Sequence, residues 1–175
     1  MALAPPGVHY RSHFVGRGPE FYQEACSLKI EGIVSKRADS RYVAGRSGRW
    51  LKTKCECREQ FVIGGFTRPT SNRTGFNSLL LGEYSGGKLQ YIGRVKVGFS
   101  RETQRVLGTQ LDAIERKTSP FAEDPDKDGA HWVTPKLVAE VAYLERTSEG
   151  LRHASFKGIC EGANPIEVIA RGDDL

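Results

Sequence analysis

The distribution of apolar and polar positions predicts a chain rich in β-strands after about residue 58. Segments 60–67, 77–84 and 88–97 are rich in β-branched, leucine and aromatic residues and are separated by polar or glycine-rich turns. Two further strands are predicted near 136–146 and 151–156, on either side of a turn at 148–150. Within the first segment, the pair Gly64-Gly65 predicts a bulge or a sharp bend.

One amphipathic helix is predicted between the third and fourth of these strands. Ser100 is a suitable N-cap, and Leu107, Leu111 and Ile114 recur on one helical face. A loop of prolines and aspartates follows at about 119–129. Three strands, a helix and two strands is the order of a five-stranded Greek-key barrel of the oligonucleotide-binding (OB) type. The expected fold class is therefore mainly β, with an OB-fold barrel over residues 58–175.

The first 57 residues have a different pattern. Pro19 suits the first turn of a helix, and Phe21, Ala25 and Leu28 form an apolar stripe predicted to face a sheet. Two short strands are predicted to follow at 31–37 and 50–55. A helix and two strands bury too little surface to make a domain, so residues 1–57 are expected to be the edge of a larger one.

Composition narrows the classes of partner. Lys and Arg (26) exceed Asp and Glu (21), giving a net charge of +5, which is compatible with a nucleic-acid partner without proving one. No signal peptide or long apolar run occurs, so no membrane partner is expected. The histidines are scattered and no CxxC pair occurs, which disfavours a thiol metal site. Reduced cysteines in a cytosolic protein are the expectation for all four thiols: Cys26, Cys55, Cys57 and Cys160.

The second predicted strand carries candidate chemistry. Lys52 and Lys54 lie two residues apart and therefore share one face of the strand. Two ammonium groups on one face repel each other unless an anion lies between them. Glu31, on the neighbouring strand, could hold a divalent metal, and Trp50 could form a packing wall. On this interpretation, these residues form a site for a polyphosphate and its metal ion. The alternative is a solvated basic hairpin, and spacing alone does not choose between them.

Three motifs in order give the chain a family resemblance. The segments are EGIVSKR at 31–37, WLKTKC at 50–55 and LRHASFKG at 151–158, with FVIGGFT at 61–67 between the last two. Together they resemble the ligase module of bacterial ATP-dependent DNA ligase D, over about residues 8–159. The first three are similar to nucleotidyltransferase motifs IV, V and VI. By this resemblance, residues 1–57 are the end of an α+β nucleotidyltransferase (adenylation) domain, and 58–175 are the OB-fold C-terminal domain.

The resemblance implies a reaction and roles for particular residues. In that family a lysine of a KxDG motif attacks the α-phosphate of ATP, the adenylate passes to the 5′-phosphate of a nick, and the 3′-hydroxyl displaces AMP. Glu31 would hold Mg²⁺ or Mn²⁺, and Lys36 would be the basic end of motif IV. Lys52 and Lys54 would neutralise the α-phosphate. The matches to motif VI, which orients the pyrophosphate, are Arg152 and Lys157.

The chain also departs from the family pattern. It contains no KxDG motif, and after Gly158 the usual Leu-Arg-Glu-Asp-Lys is replaced by Ile-Cys-Glu-Gly-Ala. The tail from Asn164 onward is expected to be a divergent end unrelated to the family. The covalent step is therefore not expected from this chain alone.

Two functions remain open at this stage. The first is a fragment of an ATP-dependent DNA ligase that repairs nicks or breaks, with a separate chain supplying the KxDG half and with Ku or polymerase modules as further partners. The second is a non-catalytic OB module, or degenerate gene product, that binds nicked or double-stranded DNA. A bacterial, cytoplasmic and nucleoid-associated location is expected in either case. The basic residues expected to contact DNA phosphates are Arg68, Arg73, Arg94 and Lys96, with Lys88 on the same strands.

Overall fold

The computed structural model describes residues 7, 9, 12–69, 75–125 and 129–170. The chain separates into two units, Met1–Cys55 and Glu56–Leu175. Each unit has its own elements and is described by itself. Within the described residues, no helix is long and apolar enough to cross a membrane.

The first unit contains one helix and one hairpin. Helix α1 (Gly18–Ser27) begins with Pro19 in its first turn, as predicted. Strands β1 (Gly32–Lys36) and β2 (Trp50–Lys54) pair antiparallel, with Ile33 opposite Thr53. A disulfide between Cys26 and Cys55 joins the end of α1 to the end of β2. The expectation that every cysteine is reduced is therefore wrong for this pair, because folding brings together two thiols that lie 29 positions apart.

The apolar stripe predicted on α1 is buried only in part. Ala25 is buried, whereas Phe21 is exposed and Leu28 is 66% exposed. Phe21 instead contacts Phe14, with 4.7 Å between the ring centroids. The two-stranded sheet is too narrow to cover the whole stripe, which is why the prediction that it faces a sheet fails for two of its three residues.

The second unit consists mainly of strands. Strands β3 (Cys57–Thr67), β4 (Ser78–Ser85) and β5 (Lys88–Val95) precede helix α2 (Arg101–Ala113). The strands that follow are β6 (Glu115–Arg116), β7 (Ala130–Val133), β8 (Val138–Tyr143), β9 (Glu145–Thr147), β10 (Gly150–Arg152) and β11 (Ser155–Ile159). A 3-10 turn (Pro165–Glu167) ends the described part. The predicted mainly β class is confirmed.

The sheet of this unit is antiparallel, with the strand order β11-β8-β3-β4-β5. The short pair β6–β7 attaches to β3, and β9–β10 form a separate hairpin. The Phe156 N–H of β11 donates a hydrogen bond at 2.9 Å to the carbonyl of Val97, which lies two residues after the end of β5. The predicted bend at Gly64-Gly65 is confirmed, since the register with β4 shifts between Ile63 and Gly65. A Cβ at Gly64 would clash with the Phe121 ring, which explains the glycine at this position.

Both faces of the sheet are buried, which explains why its strands are continuous apolar segments in the sequence. Neighbouring residues alternate between faces, and one face forms the larger core. Its buried residues include Phe61, Ile63, Leu79 and Leu81, with Leu107 and Leu111 of α2 packed against them. Ser100 caps α2, as predicted, by accepting a hydrogen bond from the Thr103 N–H. The opposite face forms a second cluster of Val62, Leu80, Leu89, Phe121, Val138 and Val168.

The C-terminal tail belongs to this second cluster. The Tyr84 N–H donates to the Val168 carbonyl at 2.8 Å, and the Ala170 N–H donates to the Tyr84 carbonyl at 2.9 Å. Val168 is buried, and Asn164 caps the 3-10 turn through the Ile166 N–H. The tail expected to be a divergent end therefore pairs with β4 and covers one face of the sheet.

Two predicted boundaries in the second half are wrong. The single strand expected near 136–146 is divided at Leu144 into β8 and β9, because β8 pairs with β3 and β11 whereas β9 pairs only with β10. The strand expected at 151–156 is likewise divided into β10 and β11. Strand β7 was not predicted, although it pairs with β3 directly after the loop.

Candidate functional site

The β1–β2 hairpin places three lysines on one face. Antiparallel pairing sets Val34 opposite Lys52, Gly32 opposite Lys54 and Lys36 opposite Trp50. Directly paired residues share a face, so all these side chains belong to the same side of the hairpin. The Lys36 ammonium lies 4.1 Å from the centroid of the Trp50 ring, a cation–π contact.

Glu31 and Lys52 form an ion pair at the end of this face. The Lys52 Nζ donates to Glu31 Oε1 at 2.6 Å, and each side chain is about half exposed. Because the pair is in contact with solvent, an incoming anion or cation can exchange with either partner. Lys54 is half-buried beside it, and the Tyr22 hydroxyl donates to the Lys54 carbonyl at 3.0 Å. With the disulfide at Cys55, this bond fixes the backbone of β2 to α1.

The metal role expected for Glu31 can be tested against its surroundings. Among the described residues, no group of three or more His, Cys, Asp or Glu side chains could hold a metal ion. A hard divalent cation such as Mg²⁺ is commonly held by one or two carboxylates, with the remaining ligands coming from water and substrate phosphates. A single carboxylate beside two lysines fits that arrangement, so Glu31 fits a cation held largely by a nucleotide.

The turn between β1 and β2 forms a second basic feature. Arg37 makes two hydrogen bonds to Asp39, at 2.8 and 3.2 Å. Arg41 and Arg49 complete a cavity of about 370 Å³ with these residues. The lining is strongly polar and open to solvent, as expected for a basic turn.

The two motif VI residues lie in the second unit, and each faces a carboxylate. Arg152, on β10, donates to Glu145 at 2.9 Å. Lys157, on β11, lies 3.4 Å from Glu56. The Arg152 side chain is 62% exposed and the Lys157 side chain 27% exposed. Both cations are therefore available for phosphate only by exchange with a carboxylate.

A partly buried ionic network at the β9–β10 hairpin was missed by sequence reasoning. Arg146 donates two hydrogen bonds to Glu83, both at 3.0 Å, and one to Glu59 at 2.6 Å. Its guanidinium also lies 5.3 Å from the Phe61 ring and hydrogen-bonds the Tyr143 hydroxyl. Burial by itself would lower the pKa of Arg146, but the hydrogen bonds to Glu83, Tyr143 and Glu59 outweigh it and raise that pKa. No local signal could reveal this network, because Glu83 is 63 positions from Arg146.

The neighbouring tyrosine is perturbed by the same environment. Burial, assisted by the hydrogen bond to Glu59, raises the pKa of Tyr143 to about 12. Burial also raises the pKa of Tyr91, on β5.

The residues expected to contact DNA are not all gathered in one place. Arg94 and Lys96 are exposed and line a groove of about 370 Å³ with Tyr91 and Leu151. Arg68 is instead held by Asp112, at 3.0 Å, and Glu115, at 3.5 Å. Lys88 is exposed at the start of β5. Arg73 lies outside the described residues.

Comparisons with known proteins agree on a single family. Residues 72–161 match the family described as ATP dependent DNA ligase C terminal region. The chain is 36% identical over 151 residues to the multifunctional non-homologous end joining protein LigD of Pseudomonas aeruginosa, covering 82% of this chain and 18% of that protein. The Mycolicibacterium smegmatis LigD is 38% identical over 160 residues, covering 88% and 21% respectively. The chain thus spans about a fifth of the length of these relatives.

Solved structures give the same result. The ligase domain of Mycobacterium tuberculosis LigD superposes with a TM-score of 0.63 at 36% identity, covering 90% of this chain and 53% of that one. A mycobacterial DNA ligase D complexed with ATP and MES gives a TM-score of 0.60, also at 36% identity, covering 90% and 52%.

Proposed function

Because this chain belongs to the family of ATP-dependent DNA ligases, we propose that it works as the second part of a ligase module that seals nicks or breaks in DNA. Residues 1–57 would be the end of the nucleotidyltransferase domain, and residues 58–175 the OB-fold domain. The observation that carries this proposal is the shared face of Lys52 and Lys54, with Glu31 at 2.6 Å from Lys52.

That face suits the α-phosphate of ATP. Two ammonium groups held on one side of a short strand can bind non-bridging phosphate oxygens and oppose the charge that develops during adenylyl transfer. In this structure the Lys52 ammonium is paired with Glu31. When a nucleotide binds, a phosphate oxygen would replace the Glu31 carboxylate oxygen at Lys52. The released Glu31 could then hold a divalent cation, Mg²⁺ or Mn²⁺, which when bound would neutralise nucleotide phosphates. Lys36, packed on Trp50, adds a third cation to the same face.

Arg152 and Lys157 would contribute to the pyrophosphate end of ATP. Each is paired with a carboxylate, Glu145 or Glu56, which a phosphate oxygen would replace. An arginine can bind a phosphate through two parallel hydrogen bonds, whereas a lysine acts as a point charge. We assign orientation of the leaving pyrophosphate to Arg152 and charge neutralisation to Lys157.

The nucleophilic lysine would come from a polypeptide outside these 175 residues. No KxDG motif occurs in the sequence, and the similar ligase domain is nearly twice as long as the part matched here. The exposed apolar side chains of the first unit, including Val34 and Leu51, offer a surface for that polypeptide. The partners of this chain would include nicked or double-stranded DNA and Ku or polymerase modules. The relatives named above are multifunctional non-homologous end joining proteins. The site of action would be the bacterial nucleoid.

Nick sealing in a two-polypeptide mixture tests this function. The chain is mixed with a separately purified polypeptide carrying the KxDG half of a LigD ligase domain, a labelled nicked duplex, ATP and Mg²⁺. Neither polypeptide alone should seal the nick, and the mixture should do so. Lys52→Ala should abolish sealing, whereas Lys136→Ala, a change at an exposed lysine between β7 and β8, should not. A mixture that neither seals DNA nor forms a protein–AMP adduct would overturn the proposal.

The second candidate is a DNA-binding module without catalysis. It is favoured by the exposed cations Arg94 and Lys96 along one groove of the second unit, which do not depend on the first unit. Salt-dependent binding of the nicked duplex, with no sealing in any mixture, would support this alternative.

A further inference from the structure

The β9–β10 hairpin has two chemically different faces. Its register pairs Arg146 with Leu151 and Glu145 with Arg152. Directly paired residues share a face, and neighbours along a strand alternate. Arg146 and Leu151 therefore lie on one side of the hairpin, and Glu145 and Arg152 lie on the other.

The first side is attached to the sheet through Arg146. Its guanidinium binds Glu83 of β4 with two hydrogen bonds and Glu59 of β3 with a third. The Glu59 and Glu83 side chains are only 14% and 10% exposed, so this cation is shared by two largely buried carboxylates. Leu151, paired with Arg146, packs against the larger core.

The hairpin also lies close to the backbone of β5. A Cβ at Gly150 would lie 3.1 Å from the Ile92 carbonyl oxygen, and one at Gly93 would lie 3.2 Å from the Leu151 nitrogen. Both glycines have positive φ, at 124° and 146°. These close approaches place one end of the hairpin against β5, while the hydrogen bonds of Arg146 hold its first strand.

The other side presents Arg152 to solvent. Its backbone carbonyl accepts a hydrogen bond from the Leu144 N–H at 3.0 Å, which fixes where the side chain starts. Its guanidinium is mostly exposed and donates a hydrogen bond to Glu145, whose side chain is also more than half exposed. An exposed ion pair of this kind is weak and exchanges readily with another anion. The backbone of Arg152 is thus held in place, while its guanidinium can exchange Glu145 for another anion.

We propose that Arg146 is the positioning residue for Arg152, holding the β9–β10 hairpin on β3 and β4 so that Arg152 is presented for phosphate. This inference rests on the proposed role of Arg152 and adds a residue outside the motifs to that site. The planar fork of arginine is needed because three oxygens from two carboxylates are bound at once, which a lysine ammonium cannot reproduce in the same geometry. Loss of the fork releases β9 from β3 and β4. Strand β10 pairs with β9 and is then held by the packing of Leu151 and by its close approach to β5, so the position of Arg152 becomes less fixed.

Binding of inorganic tripolyphosphate to the full chain provides the first test. The affinities of wild type, Arg152→Ala, Arg146→Lys and the double variant are compared by calorimetry. Arg146→Lys keeps the charge that the buried carboxylates need, which protects the fold. Each single variant should weaken binding by about tenfold or more, the range of a hydrogen bond to a charged group. The double variant should be no weaker than Arg152→Ala, because Arg146 acts only through Arg152.

A matched arginine separates positioning from general electrostatics. Arg58 lies on the same strand as Glu59 and is 3.9 Å from Glu140, but it is exposed and makes no fork. Arg58→Lys should leave the affinity unchanged. If Arg146→Lys also leaves it unchanged, or if its effect adds fully to that of Arg152→Ala, the positioning role is overturned.

Amide hydrogen exchange gives a second readout that needs no ligand. In Arg146→Lys, the amides of residues 145–152 should exchange about tenfold faster or more, while those of β4 and β5 keep their wild-type rates. Unchanged exchange over 145–152 overturns the inference, whatever the binding result. A wild-type chain that binds no tripolyphosphate would instead count against the proposed role of Arg152, and the exchange result would still decide whether Arg146 holds the hairpin.

Discussion

Lys52 and Glu31 form an ion pair of 2.6 Å across the base of the first hairpin, and both side chains are about half exposed. Exposed pairs contribute about 0–1 kcal/mol to folding. We therefore expect Lys52→Met or Glu31→Gln to change the free energy of unfolding by no more than about 1 kcal/mol. The same Lys52→Met change should markedly weaken equilibrium binding of ATP. A large loss of stability with unchanged ATP binding would show that the pair is structural.

The disulfide should control the stability of the first unit. Cys26 and Cys55 close a loop with a sequence separation of 29, which stabilises a fold by about 3–4 kcal/mol in the chain-entropy account. Cys26→Ala should make residues 12–55 much more sensitive to limited proteolysis, while the second unit stays protected. Cys57→Ala, which removes an exposed free thiol, is the control and should have no effect. Equal proteolysis of wild type and Cys26→Ala would contradict this.

The tail should stabilise the second unit. Val168 is buried in the second cluster, and its neighbour Ile169 is 66% exposed. Val168→Ala should lower the free energy of unfolding by about 1–2 kcal/mol, through lost burial and a small cavity. Ile169→Ala removes a larger side chain but should cost much less. Denaturant unfolding of the two variants tests this, and equal effects would mean that the tail is not packed as described.

Alkaline pH should destabilise the second unit through Tyr143. Its folded pKa is raised to about 12, mainly by burial, from an ordinary value of 10.0. The unfolded chain loses this proton first, so stability should be complete below about pH 10 and fall as the pH rises towards 12. Tyr143→Phe should show a smaller fall over that range in denaturant titrations. Parallel pH profiles for wild type and variant would refute the assignment.

Binding to DNA should depend steeply on salt. Arg94 and Lys96 are exposed on one groove, and each phosphate contact contributes about −0.9 to the slope of log K against log salt. Replacing both residues by Ala should flatten the slope measured with a labelled nicked duplex. Arg105→Ala is a suitable control because Arg105 is held by Glu102 on α2. Lys52→Ala should also leave the slope nearly unchanged. An affinity that does not change with salt concentration would show that this groove does not contact DNA phosphates.

The sequence by itself determined the features that depend on neighbours along the chain. Strands β3, β4 and β5 were predictable because their side chains are continuously apolar between polar turns. The start of α2 was predictable because Ser100 can cap it locally. The common face of Lys52 and Lys54 follows from strand alternation, and the order of the three motifs indicated the family.

Only the tertiary structure decided which distant residues meet. Arg146 is 63 and 87 positions from its two carboxylate partners, so no local pattern identifies it as an anchor. The break at Leu144 arises because the chain changes strand partners there, while its apolar pattern continues. The Cys26–Cys55 disulfide and the pairing of the tail with Tyr84 have the same origin. Propensity and periodicity report the conformation of a segment, whereas its partners depend on how the whole chain closes its core.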